Sequence, residues 1–187
     1  MPLSNKLTKT VAIVAVSVAV SLAASQTWAA GVHGDGHGGG AKSSTGKQGN
    51  ISEVTRTIEI KMFDNYYEPE NLNIKKGETI RFAIKNMGDY VHEFNIGTAS
   101  MHEAHQQEMV LMMEHGALEV DKINYDLMKM DMGNGVTMEH NDPNSVLLEP
   151  GKTGEVIWKF TNKSALQFAC NVPGHYESGM AGELSFK

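Results

Sequence analysis

The sequence predicts an all-β sandwich interrupted by one long insertion. Two observations predict the sandwich. Apolar and polar residues alternate over short runs, the period of a strand with one buried face. Polar turns rich in Gly, Pro, Asn and Asp separate those runs. A third observation predicts the insertion: between about residues 97 and 143 the alternation stops, and Met and His take over.

The chain has 187 residues, enough for one domain with additions, and a formal charge of −6. An acidic balance argues against nucleic acid and against an anionic membrane surface as partners. Residues 1–29 read as a secretory signal peptide. Lys6 and Lys9 supply the positive start, residues 11–22 the apolar core, and the small residues around Ala29 the cleavage site. That apolar run is short for a membrane span of ~20 residues, so the mature form is expected to lack an anchor. Export points to the periplasm.

Residues 30–53 form a Gly-, Ser- and Lys-rich stretch with little to bury, expected to be a flexible leader. It carries His33 and His37. Cleavage after Ala30 would make His33 the third residue. An amine, two amides and that imidazole would then suit square-planar Cu(II). The plainer reading is a linker.

The folded domain is expected over residues 54–187. Ile58 and Ile60 lie on one face of the first strand, and residues 65–69 connect to Leu72 and Ile74. After a turn at 75–78, Ile80, Phe82 and Ile84 share a face, with Arg81 and Lys85 outward. Residues 91–96 make the next strand. Beyond the insertion come strands at 146–148, at Val156, Trp158 and Phe160, at 166–170 and at 181–186.

The insertion holds eight of the twelve Met and four of the eight His residues. Ser100 can cap a helix over 101–115, with Glu103 in its first turn and Gly116 at its end. Steps of three and four then set His102, His105, Met109 and Met112 or Met113 along one face, with His115 at the end. Met128, Met130 and Met132 alternate, so an extended chain would put three thioethers on one side. Met138 and His140 follow. Two readings compete. A Met stripe at helical spacing usually fills core. Thioethers also select Cu(I), and silver(I) would bind the same ligands. The polar neighbours Lys129, Asp131 and Gly133 favour metal for the second group.

The chemistry concentrates in Cys170-Asn-Val-Pro-Gly-His175-Tyr-Glu-Ser-Gly-Met180, which contains the only cysteine. A thiolate, an imidazole and a thioether in one loop are three parts of an electron-transfer copper site, which needs a second imidazole. His92, in an apolar strand, can supply it. Pro173 and Gly174 form a turn that would bring Cys170 and His175 together. Singly, each residue has an ordinary reading: a buried Cys, a turn His, a core Met, a satisfied core His. Structural zinc fits less well because of the thioether. A cysteine hydrolase would leave Met180 unexplained.

The pattern C-x4-H-x4-M near the C-terminus, with an upstream His on a strand, resembles the cupredoxins. The resemblance covers roughly residues 54–100 and 146–187. It implies a Greek-key β-sandwich, a Met/His-rich, partly helical insertion, and one type 1 copper held by His92, Cys170, His175 and Met180. The chain departs from the family at Glu93. Many small electron-carrier cupredoxins have Asn there, tying the two ligand loops together, so that bond does not carry over.

The insertion makes the chain similar to the periplasmic CopI-type cupredoxins of copper tolerance. This implies a monomeric copper-binding redox protein rather than an enzyme. Its partners would be copper ions and a periplasmic redox or copper-transfer protein. The insert would collect further Cu(I), and slow cuprous oxidation could occur at the type 1 site. The alternative is an electron carrier between respiratory proteins, with the insert as docking surface. A multicopper oxidase would need repeated His-x-His pairs, which are absent.

Overall fold

The structure is a computed structural model that describes residues 45–133, 136–139 and 141–187, with 130–133 and 136–139 as backbone only. The expected signal peptide (1–29), most of the leader with His33 and His37, and His140 lie outside the described residues.

Two five-stranded sheets face each other. One runs in the order β1 (Lys47–Gln48), β10 (Thr153–Lys159), β5 (Thr79–Asn86), β2 (Arg56–Phe63), β3 (Tyr66–Glu68). The other runs β4 (Leu72–Ile74), β12 (Ala181–Phe186), β11 (Leu166–Ala169), β6 (His92–Gly97), β9 (Ser145–Leu148). The β2–β5 and β4–β12 pairs are parallel and the other pairs within these two sheets antiparallel, in keeping with a Greek-key sandwich. The insertion contributes helix α1 (Ala99–Glu114) and a separate hairpin of β7 (Lys129–Gly133) and β8 (Val136–Glu139).

The expected alternation produces the core. Ile80, Phe82 and Ile84 of β5 are buried, as are Val156 and Trp158 of β10 and Phe160 just beyond it. An aromatic cluster joins the sheets: Phe82 meets Phe94 at 5.2 Å between ring centroids, and Phe94 meets Phe168 at 5.5 Å. Tyr67 meets Phe168 edge-on at 5.0 Å. Such pairs add about 0.5–1.5 kcal/mol each beyond simple burial. Phe94 follows His92 by two residues and Phe168 precedes Cys170 by two. The cluster therefore anchors both strands that carry the loop chemistry.

Three elements differ from expectation. Residues 66–68 form strand β3 rather than a plain connection, because buried Tyr67 pairs with Met62 of β2. The helix is capped by Thr98, not Ser100. The Thr98 hydroxyl accepts the Met101 N–H at 3.3 Å, while Ser100 Oγ lies against Thr98 Oγ1 at 3.0 Å. The helix consequently starts two residues early and has no acidic residue in its first turn. Gly116 ends it as expected, with φ of +74° suited to glycine. Finally, the tail of the expected leader packs on the sandwich: β1 pairs with β10, and Trp158 Nε1 donates to the Thr45 carbonyl at 3.0 Å.

All six residues of β6 are buried. A strand in a two-sheet sandwich has one inner face, so the outer face needs another cover. Helix α1 provides it, packing on β6 and β11. His92, Phe94 and Ile96 occupy one face, and Glu93, Asn95 and Gly97 the face beneath the helix.

Candidate metal centre

Strand β6 opens on His92, β11 delivers Cys170, and the turn after Cys170 brings back His175. Among the described residues, His92, Cys170 and His175 form a cluster of His, Cys or acidic donors able to share an ion, their ligand atoms within 4.8 Å of one another. The Nδ1 atoms of His92 and His175 are 3.2 Å apart. Cys170 Sγ lies 3.3 Å from His175 Nδ1 and 4.0 Å from His92 Nδ1. Donors at these separations can share one ion at about 2.0–2.3 Å from each.

Backbone hydrogen bonds hold the loop in shape. His175 N–H donates to the Val172 carbonyl, Met180 N–H to His175, and Cys170 N–H to Met180, at 3.0, 3.0 and 3.1 Å. Met180 is fully buried at the end of this ring of bonds. His175 is partly exposed, with Tyr90 beside it at 6.5 Å between ring centroids.

The ring of His92 has a fixed tautomer. Its Nε2 donates to Asp64 Oδ1 at 2.8 Å, since a carboxylate can only accept. Burial lowers the pKa of His92 despite that carboxylate, so the ring is neutral and its Nδ1 bears a free lone pair. Asp64 sits in the β2–β3 turn and also accepts from Asp89 N–H at 3.1 Å. Gly88 permits this approach, because a Cβ there would fall 2.2 Å from Asp64 Oδ1 and 2.7 Å from His92 Nε2. A carboxylate that orients a ligating histidine is a common support of metal sites. Nothing in the sequence pointed to Asp64, which lies 28 residues before His92 in an ordinary turn.

Burial, and then neighbouring His92, lower the pKa of His175. Burial pushes the Cys170 thiol up to about 12, so a metal must displace its proton on binding. The Glu93 N–H donates to Cys170 Sγ at 3.3 Å, a bond ready to support a thiolate.

Glu93 takes over the tie that the sequence left open. Its carboxylate is fully buried. Oε2 accepts from the backbone N–H and side-chain amide of Asn171 at 3.3 and 2.8 Å, joining the His92 strand to the Cys170 loop. Oε1 accepts from Asn95 Nδ2 at 3.3 Å, from Ser145 Oγ at 2.5 Å and from His105 Nε2 at 3.0 Å. The Glu93 carbonyl accepts from the Tyr67 hydroxyl at 2.6 Å.

The helical part of the insert is placed differently from a solvent-facing metal stripe. His102, His105, Met109 and Met112 do share a face, but it points into the protein and all four are buried. Met113 and His115 lie off that face and are exposed. His115 Nδ1 sits 2.7 Å from the Leu111 carbonyl. Met128 is partly buried against the core. The hairpin register sets Met130 opposite Met138, with Met132 two residues along β7.

Relatives agree with this architecture. A family profile described as a cupredoxin-like domain matches residues 12–106. A copper-resistant cuproprotein CopI of Pseudomonas aeruginosa is 44% identical over 146 residues, covering 75% of this chain and 81% of that protein. The chain belongs to the cupredoxin-like family. A CopI of Rubrivivax gelatinosus is 32% identical over 157 residues, covering 81% of each chain. The same fold is seen in solved structures: auracyanin B has a TM-score of 0.54 at 18% identity, covering 76% of this chain and 96% of that one. Reduced auracyanin from Roseiflexus castenholzii has a TM-score of 0.50 at 20% identity, covering 72% and 98%. The profile match ends before the Cys170 loop of this cupredoxin. The donor set there, a thiol, two imidazoles with facing Nδ1 atoms and a buried thioether nearby, suits copper by its own chemistry.

Proposed function

We propose that this cupredoxin is an exported copper-binding redox protein that acts in copper tolerance. One observation carries the reading: His92 Nδ1, His175 Nδ1 and Cys170 Sγ converge at separations of 3.2, 3.3 and 4.0 Å. His92, Cys170 and His175 would hold one copper, with Met180 as a weak axial donor. Copper bound there would supply a one-electron Cu(I)/Cu(II) couple. The protein's own part is to orient His92 through Asp64, to set the Cys170 sulfur against the Glu93 N–H, and to shield the site by burial. The partly exposed His175 edge is the route by which an electron would arrive or leave.

The similarity to CopI proteins supports a role under copper excess. Binding Cu(I) and turning it into less reactive Cu(II) would serve that role, as would passing copper or electrons to a periplasmic partner. Further Cu(I) collection belongs to the hairpin more than to the helix, since Met130 faces Met138 in register while Met109 and Met112 are buried in the core. Residues 1–29 would direct export and be removed, leaving a leader whose tail, from Thr45, packs on the sandwich. The mass of the secreted form tests this.

The test of function is an anaerobic Cu(I) titration of the mature protein against a competing chelator, beside Cys170→Ala. Several coppers in the wild type, with one lost in the variant, support tolerance through binding. A single copper, lost in the variant, points to the electron-carrier reading. That second reading has its own support in the exposed Tyr90 and Met87, apolar side chains on the β5–β6 loop that runs beside His175. Unchanged growth of a gene-deletion strain in high copper would contradict the tolerance reading.

A further inference from the structure

His105 lies on the insert, yet it reaches the interior of the loop network. Its Nε2 is 3.0 Å from Glu93 Oε1 and its Nδ1 is 3.1 Å from Glu108 Oε2. Carboxylate oxygens only accept, so both ring nitrogens must donate, and the ring is an imidazolium. Burial works against that charge. Glu93 and Glu108 outweigh it and raise the pKa to about 10. The cation thus faces a fully buried carboxylate whose other oxygen is bound by Asn171, the residue after Cys170. The same Glu93 offers its N–H to the Cys170 sulfur. Helix α1 also touches the loop through His102, whose ring lies 5.9 Å from that of Tyr176.

We propose that His105 is a positioning residue through which the insert governs the copper centre: it fixes the Glu93 carboxylate that ties the His92 strand to the Cys170 loop. This rests on the copper reading above. It gives the helical half of the insert a task that needs no metal of its own. It also explains how an acid can stand where the family often has an amide. A buried carboxylate without a cation is strongly disfavoured. An Asn would need no such partner, and here the helix brings His105 to Glu93.

In His105→Gln the carboxylate keeps its donors from Asn95, Ser145 and Asn171 but loses the ring nitrogen that holds Oε1. A carboxylate held less firmly loosens its tie to Asn171 and with it the loop that carries Cys170, so the reduction potential shifts. In Glu93→Gln there is no carboxylate for the ring to hold, and adding His105→Gln to it changes little.

The experiment is a double-substitution cycle on copper-loaded protein, reading the reduction potential and the sulfur-to-copper absorption. It is paired with hydrogen exchange of the Glu93 and Asn171 amides in the metal-free protein. His105→Gln is expected to shift the potential and the absorption and to speed exchange at both amides. In the Glu93→Gln background the same substitution moves none of the three. Equal shifts in both backgrounds, or no shift in the wild-type background, would overturn the proposal. Should His105→Gln not fold, Glu108→Gln removes the outer partner of the same ring and is expected to shift the potential by less. No shift there overturns the proposal as well. Wild-type protein that takes up copper without any sulfur-to-copper absorption would instead refute the copper reading on which the proposal rests.

Discussion

The loop at 170–180 and helix α1 are both rich in metal-binding side chains, and the fold uses them in opposite ways. In the loop, a turn and a ring of backbone hydrogen bonds aim donors from two strands at one point. In the helix, His102, His105, Met109 and Met112 lie along one line, buried against strands. Met109 and Met112 join the hydrophobic core, and His105 forms an ion pair. Both regions offer imidazoles and thioethers, and only the loop adds a thiol. Convergence is what separates a site from a stripe, and convergence comes from turns and from neighbouring strands rather than from helical spacing.

The largest expected effect is at the loop. Cys170→Ala should abolish the sulfur-to-copper absorption completely, whereas Met109→Ala should leave it in place; absorption spectra of copper-loaded protein check both. Next comes core packing in the helix. Met112→Ala should cost about 2–5 kcal/mol of stability in denaturant unfolding of the metal-free protein, with the copper count unchanged. A lost copper in that variant would break the contrast between the two regions. Asp64→Asn should weaken copper binding about 10- to 100-fold by loosening the orientation of His92, as measured by chelator competition.

The smallest effect concerns pH. His105 has a folded pKa of about 10, above its ordinary 6.5, so its contribution is complete below 6.5 and is lost as pH rises through 10. The groups facing it include Glu93 from β6 and Glu108 and His102 from its own helix. His92, His102 and His175 have lowered pKa values and oppose folding only towards acid. Metal-free protein should therefore lose stability between about pH 6.5 and 8.5, before thiols of the unfolded chain ionise. His105→Gln should flatten that slope in thermal unfolding.

Much of this was legible in the sequence. Period-two alternation located most strands, and the Cys170, His175 and Met180 spacing singled out the loop. Strand β3 was hidden because Tyr66 to Glu68 sits between Asn65 and Pro69, residues that normally mark a turn. The burial of both faces of β6 could not be read from β6, since it depends on a helix folding back over it. The helix face was read correctly as a line of His and Met, but its direction depends on what it packs against. Asp64 and the partners of Glu93 were illegible for the same reason: they come from other strands and loops, and local patterns carry no record of such contacts. The departure at Glu93 was visible as a departure, and only the tertiary structure supplied Asn171 and His105 as its partners.

The most direct test is anomalous X-ray diffraction from crystals loaded with a single equivalent of copper. One strong peak is expected between Cys170 Sγ and the Nδ1 atoms of His92 and His175. Copper found instead along helix α1 or the β7–β8 hairpin, with no peak at that cluster, would contradict this placement.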